Sequence, residues 1–175
     1  MLETLSTRVV YQNPWMVVRE DAIRFADGGE GVYSYVERPP YAIVAAVENG
    51  HVWMVEQWRH PFRRRMWELP MGVAPGAATP EESARVELAE ETGLRADRMT
   101  RVAELAPAPG LIAQTGTLFL AQGLTRGAQA LEQGEQDLIA RPWPVDEAVA
   151  AAVSGGIADA VTIACLASLR LRGLI

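Results

Sequence analysis

Cysteine is nearly absent from this chain of 175 residues, which contains one, Cys165. A single cysteine excludes an internal disulfide, and its place in the apolar run AVTIACLASL predicts a small buried side chain, compatible with a reducing compartment. No apolar run reaches the roughly 18 residues of a membrane span, and the N-terminal MLETLSTRVVYQ lacks the basic-then-apolar pattern of a signal peptide. We therefore expect a cytoplasmic protein that does not bind a membrane.

Lysine is missing altogether, so all 16 basic residues are arginine. Either the base composition of a genome or a preference for bidentate phosphate contacts would produce this bias, and composition does not decide between them. The net charge of -6 and the isoelectric point near 5.0 argue against a nucleic-acid-binding surface spread over the protein. With 49% hydrophobic and 22% charged residues, the chain has the composition of one globular domain with a sizeable core, and room for a short extra sheet.

Turn residues separate predicted strands and helices along the chain. RVVYQNPWMVVREDAIRF and VYSYVERPP predict a small N-terminal sheet that ends at Pro39-Pro40, which divides the chain into residues 1–40 and 41–175. YAIVAAV and HVWMVEQW form a predicted hairpin, because Asn49-Gly50 between them is the strongest short-range hairpin signal. TGTLFLAQG and DLIARPW are predicted strands, and VDEAVAAAVSGG and IADAVTIACLASLRLRG are predicted helices. This irregular mixture favours an α+β or layered α/β/α fold over a doubly wound sheet.

A further helix is delimited by its predicted caps. Thr79 suits the N-cap, Pro80 the first helical position, and Glu82 completes a Thr-x-x-Glu capping box. Gly93 suits the position just after the helix. The helix is therefore predicted over residues 80–92.

Three glutamates, Glu87, Glu90 and Glu91, crowd the end of this helix. Their spacing places them within an arc of about 100°, where like charges destabilise a helix by a few tenths of a kcal/mol per pair. Carboxylates near a helix C-terminus also oppose the helix dipole. Oxygen ligands grouped this tightly suit a hard divalent cation, Mg²⁺ or Mn²⁺, that acts with substrate phosphates. For the three glutamates alone, the competing interpretation is a solvated acidic face.

The segment GVAPGAATPEESARVELAEETGL closely resembles the Nudix box, G-x5-E-x7-R-E-U-x-E-E-x-G-U with U an aliphatic residue. The residues in register are Gly72, Glu87, Leu88, Glu90, Glu91, Gly93 and Leu94. Two positions depart from it, since Ala78 stands where the family has Glu and Val86 where it has Arg. Removing both partners of a buried polar pair costs less than removing one, so we interpret Ala78 and Val86 as a matched apolar replacement.

The resemblance extends over nearly the whole chain and is to the ADP-ribose pyrophosphatase branch of the Nudix hydrolase superfamily. Before the box it rests on NPW, FADGGEG, VERPPYA, VEQWRHP and WELPMG, and after it on APG around Pro109 and on GGIADAVTIACL. It implies a Nudix α/β/α sandwich preceded by a small β subdomain, residues 1–40, that forms an intertwined homodimer. Gln114 stands near where many members carry an acidic residue, which weakens the substrate assignment more than the fold.

The implied activity is Mg²⁺-dependent hydrolysis of the pyrophosphate bond of a nucleoside diphosphate linked to another moiety, ADP-ribose or a related nucleotide sugar. The implied ligands of Mg²⁺ (or Mn²⁺) are the carboxylates of Glu87, Glu90 and Glu91 and the backbone carbonyl of Met71. The retained carboxylates favour this enzyme over a catalytically silent Nudix-fold module that binds a nucleotide, for which Ala78 and Val86 are the reason. Other Nudix substrates that remain open are GDP-mannose, dinucleoside polyphosphates and NADH.

Substrate-binding residues are also implied by the resemblance. Arg38 and Arg59 match the positions from which this branch contacts the phosphates, and the alternative for both is a surface ion pair. Arg63–Arg65 are interpreted as a solvated loop in preference to a substrate-side patch. Trp15 is a candidate for stacking on a base, with core or dimer-interface packing as the alternative.

The general base is expected outside the box, in the loop LEQGEQDLIARPW, which offers Glu132, Glu135 and Asp137. The family register places Glu135 at the base and Asp137 at a second acidic position that approaches the metal or substrate. A loop position suits this task, because a base that closes only over bound substrate can be held away from the metal-site carboxylates until it is needed. The alternatives are an ordinary polar turn at Gly134 and a base on the helix itself, Glu90.

Overall fold

The computed structural model describes residues 1–131 and 133–175, so Glu132 lies outside the described residues. The chain divides into two units. The first comprises Met1–Pro40 and Ala106–Thr115, and the second comprises Tyr41–Leu105 and Gly116–Ile175. The first unit therefore includes an internal segment in addition to the N-terminal residues at which the predicted division was drawn.

Strands account for most of the regular structure. In chain order they are β1 (Glu3–Asn13), β2 (Met16–Arg24), β3 (Glu30–Glu37), β4 (Tyr41–Glu48), β5 (His51–Arg59), β6 (Arg64–Glu68), β7 (Met71–Gly72), β8 (Leu94–Leu105), β9 (Ile112–Ala113), β10 (Gly116–Arg126) and β11 (Ile139–Pro144). The helices are α1 (Pro80–Thr92), α2 (Val145–Ser154) and α3 (Ala160–Leu171). Short 3₁₀ turns span His60–Phe62 and Gln133–Glu135.

The first unit is a four-stranded sheet with strand order β1-β2-β3-β9. The turn between β1 and β2 is closed by Asn13, whose Oδ1 accepts the N–H groups of Trp15 and Met16, each at 2.9 Å. The internal segment joins this sheet because β9 pairs in parallel with β3 at Val36 and Ile112. The small N-terminal sheet predicted from the turn residues is confirmed.

The second unit is built on a seven-stranded sheet, ordered β11-β5-β4-β10-β8, with β6 paired to β5 and β7 to β4. Successive residues of β4 face opposite sides, as the period of a strand requires. Ile43 packs in a core with Leu166 of α3, whereas Val44 packs in a second core with Leu88 of α1. Helices thus cover both faces of a mixed sheet, which confirms the α+β class and the α/β/α layering.

The best-predicted elements carry strong local signals. Helix α1 spans Pro80–Thr92, with Thr79 and Glu82 in a reciprocal capping box and Gly93 in the left-handed conformation at φ 71°. The hairpin turn between β4 and β5 has positive φ at both Asn49 and Gly50, as a type I′ turn needs. Both predictions are confirmed.

Strand β8 has no counterpart among the predicted elements. Its sequence, LRADRMTRVAEL, contains five charged residues and mostly exposed or half-buried positions. The strand lies at the edge of the sheet order, where one side and many side chains meet water, so apolar alternation is weak. Within the described residues no helix is both long and apolar enough to cross a membrane.

Candidate active site

Helix α1 turns two of its three crowded glutamates toward the protein interior. Glu87 is 8% exposed and Glu91 is completely buried, whereas Glu90 is half-buried. Ala84 and Leu88, on a neighbouring part of the helix surface, pack into the core against β4 and β10. This packing fixes the helix, so the two carboxylates are held inside and do not form a solvated acidic face.

Strand β7 brings its backbone against both buried carboxylates. The Met71 N–H donates to Glu91 Oε2 at 3.1 Å. At Gly72, a Cβ atom would lie 2.4 Å from Glu87 Oε2, closer than real Cβ contacts occur, so the carboxylate occupies the space that any other residue would fill. This glycine therefore allows the backbone to approach Glu87 closely, and a side chain here would displace the Glu87 carboxylate.

The electrostatics of this cluster are unfavourable without a cation. Burial, and then the negative charges of Glu135 and Glu87, raise the pKa of Glu91 well above its usual value of 4.5. The Met71 N–H and the Arg59 guanidinium act in the opposite direction but do not compensate. Glu135, from the loop before β11, is thus one of the charges that act on Glu91.

The donor set fits a divalent cation. Among the described residues, Glu91 Oε1 is a buried oxygen that lacks a hydrogen-bond partner, and such atoms normally have one. In residues 1–131 and 133–175 there is no preformed group of three or more Asp, Glu, His or Cys side chains with the arrangement of a metal site. Glu87 and Glu91, with the adjacent Met71 backbone, could supply oxygen ligands to a cation, and Glu90 is a third carboxylate on the same helix.

Arg59, whose charge acts on Glu91, forms an ion pair with Glu68. Its Nε donates to Glu68 Oε1 at 2.7 Å, its Nη2 also binds Glu68, and the Glu68 side chain is only 3% exposed. The hydrogen bonds to Glu68 and its negative charge raise the pKa of Arg59, with burial opposing them. Glu68 was not among the predicted site residues, although its place in WELPMG, just ahead of Met71, could have suggested it.

One of the loop acids, Asp137, is hydrogen-bonded to an arginine. Asp137 Oδ2 accepts a hydrogen bond of 2.6 Å from Arg65 Nη1, so the structure pairs this carboxylate with an arginine. Arg64 and Arg65 both lie in β6, and Arg65 binds Glu56, which contradicts their interpretation as part of a solvated loop. The side chains of Arg63 and Arg64 are exposed as predicted. Cross-strand pairing cannot be read from RHPFRRR alone, because the partners lie in β5 and in the loop before β11.

In the first unit, Trp15 and Arg38 line one cavity of about 480 Å³. Trp15 is 71% exposed, which contradicts packing in the core of its own chain. Arg38 also lines a neighbouring cavity of about 700 Å³ together with Pro109 and Gln114. Gln114 Nε2 donates to the carbonyl of Pro39 at 2.8 Å, so the residue at the expected acidic position instead supports the Arg38 segment.

The interpretation of Ala78 and Val86 as a matched buried replacement is wrong. Val86 is 38% exposed and Ala78 is also exposed. The Ala78 N–H donates to Glu82 Oε2 at 2.8 Å, as part of the start of α1. Because both side chains reach solvent, an arginine at position 86 would keep its charge in water.

Comparison with known protein families shows to which family the chain belongs. A model of the nucleoside diphosphate sugar hydrolase N-terminal domain matches residues 2–36, and a model of the NUDIX domain matches residues 37–154. The chain belongs to the Nudix family. Nudix hydrolases generally use divalent metal ions, in agreement with the buried oxygen donors of α1.

Relatives extend this assignment over most of the chain. The ADP-ribose pyrophosphatase of Mycobacterium tuberculosis is 34% identical over 93% of this chain and 80% of its own length. A methanol dehydrogenase activator of Bacillus methanolicus is 27% identical over 97% of this chain and 93% of its own. The crystal structure of an ADP compounds hydrolase has the same fold, with a TM-score of 0.87, 19% identity, and coverage of 99% of this Nudix hydrolase and 95% of that chain.

Replacing Gly72 with alanine is expected to lower hydrolytic turnover by about 10- to 100-fold, because the new Cβ displaces the Glu87 carboxylate. Steady-state hydrolysis with a Mg²⁺ titration measures the effect, and a weaker dependence on Mg²⁺ should accompany it. Gly156→Ala is the matched control, since its Cβ would meet atoms no nearer than 3.4 Å. Equal turnover of the two variants would contradict a role for the Glu87 position.

Proposed function

We propose that this Nudix hydrolase cleaves the pyrophosphate bond of ADP-ribose or a related nucleotide sugar, with Mg²⁺ (or Mn²⁺) as its cation. The observation that carries the proposal is the pair of buried carboxylates: Glu91 accepts the Met71 N–H, and Glu87 lies against Gly72. The negative charge of Glu135 acts on Glu91 as well. Such a cluster of negative charge is costly unless a cation binds it. The name of the mycobacterial relative supports the choice of ADP-ribose.

Glu87, Glu90 and Glu91 are the proposed carboxylate ligands, with the carbonyl of Met71 as the main-chain ligand. When bound, the cation supplies positive charge that neutralises the pyrophosphate. Glu135 is the proposed general base and removes a proton from the attacking water, which adds to one phosphorus as the bond to the bridging oxygen breaks. For ADP-ribose the products are AMP and ribose 5-phosphate, which together contain the added water.

Arg59 is the proposed phosphate contact beside the metal ligands. Glu68 holds the Nε and Nη2 side of its guanidinium, so the Nη1 side is oriented for an oxygen of the pyrophosphate. A guanidinium with one side fixed loses little further side-chain entropy when a phosphate binds the other side. The ion pair expected as the alternative to binding is thus compatible with binding.

In the first unit, Arg38 and Trp15 are the proposed contacts for a second phosphate and for the base. Both line the same cavity, and the exposed indole of Trp15 offers a flat face for stacking. Strand β1 is the edge of its sheet and exposes Val9, Val10 and Tyr11, each about half accessible. An exposed apolar edge strand favours pairing with another chain, so we propose a homodimer formed through this unit.

The deciding experiment is a hydrolysis assay of the purified protein with ADP-ribose, GDP-mannose, NADH, diadenosine polyphosphates, coenzyme A and oxidised nucleoside triphosphates. Each substrate is tested with Mg²⁺, with Mn²⁺ and with EDTA. We expect ADP-ribose to give the highest kcat/KM, with AMP and ribose 5-phosphate as products, and EDTA to abolish turnover. Saturable nucleotide binding without turnover of any substrate would instead establish a catalytically silent module.

A further inference from the structure

Arg65 joins the central sheet to the loop that carries Glu135. Its Nε and Nη2 donate to Glu56 Oε2 at 3.0 Å and to the Glu56 carbonyl at 2.9 Å. Its Nη1 and Nη2 donate to Asp137 Oδ2 at 2.6 Å and to the Asp137 carbonyl at 2.8 Å. One planar side chain thus binds both the side chain and the backbone of two residues that are far apart in sequence.

The sheet end of this connection is rigid. Arg65 pairs with Trp58 across β5 and β6, and its neighbour Met66 is 8% exposed. Glu56 lies between β6 and β11 in the sheet, opposite Ile139. The guanidinium therefore binds Glu56 at a point where β5 is paired on both sides, with β6 and with β11.

The loop end reaches Glu135 within one turn. The Leu138 N–H donates to the Glu135 carbonyl at 2.8 Å, and Leu138 is 6% exposed. With Asp137 held through two of its atoms, the backbone from Glu135 to Leu138 has little freedom left. Arg65 is thereby connected, through Asp137 and Leu138, to the backbone position of Glu135.

The other end of the loop is attached to the helix that carries the proposed metal ligands. Gln129 Nε2 donates to the Glu91 carbonyl at 2.5 Å, and the Ala130 N–H donates to the Glu90 carbonyl at 3.1 Å. These bonds satisfy carbonyls at the C-terminus of α1, which otherwise lack partners. The loop is thus anchored on α1 before Glu135 and on Arg65 after it.

We propose that Arg65 is a positioning residue for catalysis. It holds Asp137 and through it places Glu135 where this base can take a proton from the attacking water. The proposal rests on the proposed function, in which Glu135 is the general base. It gives Asp137 the role of anchoring the loop. The family register instead predicts that Asp137 approaches the metal or the substrate. The pair is partly exposed, 31% for Arg65 and 57% for Asp137, so its contribution to stability is small.

The test compares Arg65→Ala, Arg65→Lys and Asp137→Ala with the unmodified enzyme on the substrate that gives the highest kcat/KM. We expect Arg65→Ala to lower kcat by about 10- to 100-fold, as misplacement of a reacting group does, with KM changed less than about 3-fold. Asp137→Ala should reproduce this loss, and Arg65→Lys should recover part of it. Arg101→Ala, which breaks an exposed Arg–Glu pair on β8, is the control and should leave kcat unchanged.

A double-mutant cycle with Glu135→Gln separates positioning from a general loss of structure. If Arg65 acts through Glu135, Arg65→Ala lowers kcat in the unmodified enzyme but has little further effect in the Glu135→Gln background. Equal losses in both backgrounds, or a loss confined to KM, would overturn the proposal. A Glu135→Gln enzyme of normal activity would overturn the assignment of the base, and a melting temperature lowered by more than about 3 °C in Arg65→Ala would show a structural role.

Discussion

Glu91→Gln is expected to lower Mg²⁺-supported turnover by at least about 100-fold, on the order of 3 kcal/mol of transition-state stabilisation. The substitution keeps the size of a completely buried side chain and removes its negative charge. The amide oxygen still accepts the Met71 N–H, so β7 stays in place. Steady-state kinetics with a Mg²⁺ titration measure the loss, and near-normal turnover would remove Glu91 from the metal site.

The same variant is expected to be more stable than the unmodified protein when metal is removed. Because the folded pKa of Glu91 is raised above 4.5, the unfolded chain loses this proton first as pH rises. The stability of the unmodified protein therefore falls as pH increases from about 4.5 toward the raised folded value, and Glu91→Gln lacks this fall. The two proteins should have similar melting temperatures near pH 4 and differ increasingly toward neutral pH.

Thermal unfolding in EDTA between pH 4 and 8 tests this expectation. Glu81→Gln is the matched control, because Glu81 lies at the exposed start of the same helix. Addition of Mg²⁺ should stabilise the unmodified protein more than the Glu91→Gln variant, since binding to the folded state alone raises stability. A pH-independent difference between the two proteins would show that the charge of Glu91 is not the cause.

How well the fold could be predicted depended on how local each signal is. The capping box of Thr79 and Glu82 and the turn at Asn49-Gly50 are complete within four residues, and both were predicted at the right positions. Strand β8 was missed because an edge strand buries few side chains and shows no clear alternation. The pairing of β9 with β3 joins Ile112 and Val36, and no local sequence pattern predicts a contact between residues so far apart in the chain.

The candidate site divides in the same way. Helical spacing predicted that Glu87, Glu90 and Glu91 lie close together, but their assignment as metal ligands came from the resemblance to the Nudix box. The burial of Glu87 and Glu91 excludes a solvated acidic face at those two positions. The partners of Arg59 and Arg65 were not predicted, because Glu68 and Asp137 become neighbours only through the pairing of β5 with β6 and β11. Val86 shows the converse error, since its place in a motif gave no information on its exposure.

Glu135→Gln is expected to lower kcat by about 100-fold or more and to leave KM nearly unchanged, since general-base catalysis contributes in this range. The glutamine keeps the side-chain length and the backbone turn to Leu138 but cannot accept a proton from water. The substitution also removes the negative charge of Glu135, which opposes the ionisation of Glu91. Because Glu135 is not a proposed metal ligand, metal binding should change much less than the rate of the chemical step.

Single-turnover kinetics with enzyme in excess separate that step from product release. The loss in Glu135→Gln should appear in the single-turnover rate constant, because a general base acts in the chemical step. Glu90→Gln is the comparison, because Glu90 is the alternative candidate for the general base. If the rate loss appears in Glu90→Gln while Glu135→Gln stays close to normal, the base lies on helix α1 and not on the loop.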